Sequence, residues 1–81
     1  MENTDLSLKA QALAIEGRRL RSLLSGERLA AAKSRAQALA QRTELLIVSG
    51  DDEGWLALIQ ARENENAKLL HLTRKAPPTQ G

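Results

Sequence analysis

The sequence predicts an all-α fold, a small antiparallel three-helix bundle or an extended helical hairpin, on the strength of its periodicity and its breaks. Apolar residues recur at steps of three and four, the spacing that lines one side of a helix. Two apolar residues followed by Ser, Gly and an acid occur twice, as LLSGE from Leu23 to Glu27 and as IVSGD from Ile47 to Asp51. Each occurrence interrupts the period, and no stretch competes with the alternation of a half-buried strand.

The first helix is expected over about residues 5–24. Leu6, Ala10, Leu13, Gly17, Leu20 and Leu24 share one stripe, and that register ends at Glu27. Ser25 and Gly26 then read as a helix-to-helix turn. Glycine tolerates the left-handed geometry that closes helices, Ser25 or Gly26 can cap the next helix, and Glu27 suits its first turn. The alternative is one helix from Leu6 to Val48 that carries Gly26 at a cost of about 1 kcal/mol.

The second helix is expected over about 27–48, with Leu29, Ala32, Ala36, Leu39 and Leu46 on a new phase. It is rich in alanine, at Ala30, Ala31, Ala32, Ala36, Ala38 and Ala40. Small side chains let another helix approach closely, either as ordinary antiparallel packing or as a groove open to a partner.

The second break is the stronger one, because Gly50 and Gly54 flank three acids. Ser49 followed by Asp52 fits a capping box, and Asp51, Asp52 and Glu53 complement the positive end of a third helix over about 53–74. Arg74 and Lys75 suit its far end, and the prolines of APPTQG stop it. Apolar residues gather at its two ends, Trp55, Leu56, Leu58 and Ile59 at one and Leu69, Leu70 and Leu72 at the other. The intervening QARENENAK is polar, so either the ends dock while the centre stays solvated, or one end is free to meet a partner. Trp55 reads as a core anchor. Residues 1–75 are expected to form a single helical domain and 76–81 a disordered tail.

With 81 residues, such a domain buries only about 60% of its unfolded surface, which favours a homo- or hetero-oligomer. The absence of Cys excludes disulfides and a cysteine-ligated zinc site, and the lone His71 cannot assemble a metal site, so no cofactor is expected. The longest run of large apolar residues, Leu45 to Val48, is far short of the ~20 needed to span a bilayer. The opening MENTDLS carries acids where a signal peptide carries bases, so a cytoplasmic protein without membrane insertion is expected. His71 has no evident nucleophile or orienting acid, and Ser25, Ser34 and Ser49 have no activating base nearby, which points away from an enzyme.

Net charge is +2, unevenly placed: residues 6–50 hold eight bases against three acids, while residues 51–66 hold five acids and only Arg62. The two segments can neutralise each other within the fold. Arg21, Arg28, Arg35 and Arg42 recur every seven residues. A small dimeric RNA- or DNA-binding regulator using Arg18, Arg19, Arg21, Arg28 and Arg35 is the alternative function. No aromatic residues interleave with these bases for stacking, which makes a nucleic-acid partner the weaker expectation.

LLIVSGDDEGWLALIQARENE, from Leu45 to Glu65, resembles the FliT-type flagellar export chaperones, in which a long helix and a Gly-acid turn precede a Trp-containing helix. A second register is also open. In it RRLRSLLSGERLAAAKSRAQALA (Arg18 to Ala40) is similar to the family's first hairpin and ENENAKLLHLTRK (Glu63 to Lys75) to its next helix. Small co-chaperones of type III secretion share this helical-hairpin pattern. The resemblance implies a cytoplasmic chaperone that shields an amphipathic helix of an export substrate, such as a filament-cap protein, or of another secretion component. The residues themselves support a helical adaptor that binds another helix, with Ile59, Leu69, Leu70 and Leu72 expected to supply apolar contacts.

Overall fold

The computed structural model describes residues 2–75, which form an all-α three-helix bundle; the tail expected at 76–81 lies outside the described residues. Helix α1 spans Glu2–Arg21, α2 Gly26–Ser49 and α3 Asp52–Lys75. Both Ser-Gly-acid signals coincide with breaks, so a single helix across Gly26 is not formed.

The first break is made by conformation. Bonds from the Leu23 N–H to the Leu20 carbonyl and from the Leu24 N–H to the Arg21 carbonyl, both 3.0 Å, tighten the end of α1 into a turn. Leu24, already outside the helix, still packs into the core. Gly26 takes φ 63°, the left-handed region, with nothing near the position a Cβ would occupy. Ser25 precedes α2 in an extended conformation but makes no side-chain cap bond, so the turn depends on the Gly26 backbone.

The second break is made by space. Gly50 is ordinarily extended (φ −77°, ψ 147°), and its N–H donates to the Leu46 carbonyl at 2.7 Å. A Cβ at Gly50 would lie 2.6 Å from that carbonyl oxygen, and one at Gly54 would lie 2.6 Å from Leu46 Cδ2. Leu46 is thus nested between two glycines. The capping box expected from Ser49 and Asp52 is not formed, because α2 continues through Ser49, whose hydroxyl turns back toward the Leu45 carbonyl at 3.4 Å. Asp51 takes the cap instead: its Oδ1 accepts the Gly54 N–H at 2.8 Å and its carbonyl accepts the Trp55 N–H at 3.1 Å.

Helices α1 and α3 run parallel and α2 antiparallel to both. Ala10 of α1 packs with Trp55, Leu58 and Ile59 near the start of α3, joined by Leu39 and Leu46 from the far half of α2. Leu20 and Leu24 pack with Leu69 near the end of α3, joined by Leu29 and Ala32 from the first half of α2. Trp55 is buried as a core anchor, as its isolation among aliphatic residues suggests.

Between the two apolar clusters lies a polar layer. The centre of α3, expected to stay solvated if the helix ends dock, is instead buried through Arg62 and Glu65. Arg35 Nε on α2 donates to both Glu65 carboxylate oxygens at 2.9 Å. Asn66 Nδ2 donates to the Leu13 carbonyl at 2.9 Å, and its Oδ1 lies 2.8 Å from where a Gly17 Cβ would stand. Small residues on α1 therefore bring the two backbones close enough for a short side chain to reach across.

The glycines give a paired prediction. Asn tolerates the left-handed region, so Gly26→Asn should cost no more than about 1 kcal/mol, whereas Gly50→Asn meets backbone and should cost several times as much in denaturant unfolding. Equal costs would contradict the division between conformation and space. Trp55→Ala should lower stability by about 3–5 kcal/mol in the same measurement, as expected for an aromatic removed from a core.

Candidate functional site

Helix α1 packs most closely on α3, and α2 is held chiefly through α3, so the seam between α1 and α2 stays open. The walls follow from helical spacing. On α1, Ser7, Gln11, Ala14, Arg18 and Arg21 step by three and four. On α2, Lys33, Ala36, Ala40, Thr43 and Ile47 do the same. Trp55 and Arg62, seven residues apart on α3, contribute to the floor. Leu29, Ala32, Leu39 and Leu46 take the core-facing side of α2, which leaves its neighbouring stripe of small and polar residues on the seam.

The seam holds a succession of clefts. One of about 470 Å³ lies at the start of α1, between Leu8 and the Ile47–Val48 end of α2. A narrow one of about 70 Å³ follows at mid-length and shares Ser7, Ile47 and Trp55 with the first. The third, about 560 Å³, begins one turn further on, at Arg18 of α1 and Ala40 of α2, and extends to Leu29. At the first end large apolar side chains stand among Thr4, Ser7 and Ser49, and Ile47 and Val48 there are 67% and 84% exposed. The other end is basic, with Arg18, Arg21 and Lys33. Not one residue lining these clefts is an acid.

Arg62 sits at mid-seam, only 8% exposed. Its Nε is buried without a hydrogen-bond partner. Burial first, and then the charge of Arg21, push the guanidinium below the usual arginine pKa. Sequence reasoning passed over Arg62, although a signal was available: Trp55, Ile59, Arg62, Asn66 and Leu69 step by four and three, which places Arg62 on the stripe α3 turns inward.

Of the apolar contact residues expected from sequence, Ile59 and Leu69 lie in the core, at 5% and 0% exposure, and so are not available to a partner in this fold. Leu72 is half-buried against the second cluster, and Leu70 alone is exposed. Their grouping by position along the chain had set aside helical phase, which separates Leu69 from Leu70 by about 100°. The alternative arginine face is divided as well. Arg35 is engaged by Glu65 and Arg19 by Glu16 at 2.7 Å, Arg18 and Arg21 line the seam, and Arg28 is exposed on α2.

Among the described residues no helix is long and apolar enough to cross a membrane, and no cluster of His, Asp and Glu could hold a metal ion. No protein family, curated protein or solved structure matches the chain.

Burial predicts opposite outcomes for two adjacent leucines. Leu69→Asp should abolish cooperative unfolding, because it places a carboxylate in a fully apolar pocket, while Leu70→Asp should leave the melting temperature within a few degrees of the parent. Circular dichroism against temperature checks both.

Proposed function

We propose that the protein is a non-enzymatic helical adaptor that holds an amphipathic helix of another protein in the seam between α1 and α2. One observation carries this reading: the seam is open along the bundle, with small residues at Ala14, Ala36 and Ala40 among its longer polar walls and large apolar side chains uncovered at one end. Ala14, Ala36 and Ala40 allow a fourth helix to approach closely, and Leu8, Ile47 and Val48 offer the area whose burial drives association. The three helices then act as a four-helix bundle lacking one member. The contact surface proposed is this seam rather than the α3 leucines.

The resemblance to the FliT-type chaperones supports a partner of the export-substrate kind, such as a filament-cap protein, or another component of a flagellar or type III secretion system. A chaperone of that kind works in the cytoplasm. The adaptor reading stands on the seam and does not require that particular partner.

Filling the seam tests it. Ala40→Trp places an indole in the 560 Å³ cleft from an exposed position, so the fold should melt as the parent does. A protein that co-purifies with the parent and with Leu70→Asp from a native extract should be lost with Ala40→Trp. Retention by all three proteins rejects the seam as the docking surface. Binding of duplex DNA or RNA that weakens steeply with salt would instead favour the arginine-based regulator.

A further inference from the structure

Arg62 is the one buried cation in the described structure whose charge the fold leaves without an acid. Glu65, one turn along α3, is occupied by Arg35, and Glu63 faces Lys9 at 3.9 Å on the exposed side. A buried charge is costly unless paired and hydrogen-bonded, and an arginine cannot escape by losing its proton. The narrow mid-seam cleft gives the site a direction, since Arg62 lines it together with the small Ala10, Ala14 and Thr43 and the larger Gln11, Ile47 and Trp55.

We propose that Arg62 selects the docked helix, which carries a carboxylate within the stripe it buries, and that this carboxylate pairs with the Arg62 guanidinium. The proposal rests on the helix-capture reading and specifies its partner. Charge complementarity favours a foreign acidic helix over a second copy of this chain. Two copies set seam to seam bring together Arg18, Arg21, Lys33 and Arg62 from each and supply no acid to either. An acidic helix instead satisfies Arg62 at mid-length and meets Arg18, Arg21 and Lys33 further along. A planar guanidinium can take a carboxylate through two parallel hydrogen bonds, so the pair fixes the register of the helix as well as holding it.

The test uses a displayed library of amphipathic helices of about seven turns, long enough to follow the bundle, with the positions of the apolar stripe randomised. Selection on the full-length parent should enrich Asp or Glu at least tenfold at one fixed stripe position. On Arg62→Met that preference should vanish in favour of apolar residues, and on Arg62→Lys it should persist in part. Arg62→Met should itself melt at or above the parent temperature, because it replaces the unpaired buried Nε by an apolar chain that ends at about the same place.

The outcomes separate the two readings. Helices enriched on the parent but not on Ala40→Trp, with no preference for an acid, overturn the Arg62 proposal and leave helix capture standing. An acid preference that survives Arg62→Met also overturns it. Failure to enrich any helix above the Ala40→Trp background overturns both.

Discussion

The close parallel packing of α1 on α3 is the constraint from which the remaining architecture follows. It is fixed where Asn66 reaches the Leu13 carbonyl over Gly17, a contact that any larger residue at position 17 would obstruct. A parallel pair cannot be joined by a tight turn, so α2 must run back along the full length of the bundle. α2 then packs chiefly on α3, by way of Leu29, Ala32, Leu39 and Leu46, and its next stripe is left facing α1 across a gap. The open seam is a consequence of which two helices approach most closely.

The polar layer at mid-length sets the register of that packing. Two apolar clusters of aliphatic residues could slide against each other with little change in buried area, since Leu, Ile and Ala surfaces discriminate weakly. Arg35 with Glu65 and Asn66 with the Leu13 carbonyl favour one alignment, because displacement leaves the buried Glu65 carboxylate unpaired. Such a layer adds little net stability in exchange for this definition. Arg62 belongs to the same layer by position and differs in having no partner.

The helices and their breaks were legible in the sequence because period and punctuation are local properties. The cause of each break was not. LLSGE and IVSGD have the same order of residue types, yet Gly26 supplies a left-handed φ and Gly50 supplies room for Leu46, a distinction that depends on atoms four residues away. Trp55 as an anchor and the mutual neutralisation of basic and acidic segments were readable from composition, and Arg35 with Glu65 realises the latter. The seam was only half visible. The alanines of α2 announced a close approach, but which stripe meets α3 and which stays open is decided by the α1–α3 contact, and no local pattern encodes it. Ile59 and Leu69 were assigned to a partner for the same reason: chain position was read where helical phase decides.

A domain of 81 residues has a small stability margin, so the buried Nε that Arg62 leaves without a partner is a cost that counts. The Arg35–Glu65 and Asn66–Leu13 bonds involve no atom of Arg62. Its place in the layer therefore has no account among those bonds. On the helix-capture reading it has one. A ligand that binds only the folded state stabilises it in proportion to its own affinity, and one that also relieves an electrostatic penalty adds a contribution that contact area alone does not supply. Apolar burial along Leu8, Ile47 and Val48 would hold almost any amphipathic helix. The buried charge makes the difference between helices, since one without an acid leaves Arg62 still more deeply desolvated than in the free protein and is disfavoured by the same interaction that favours the correct partner.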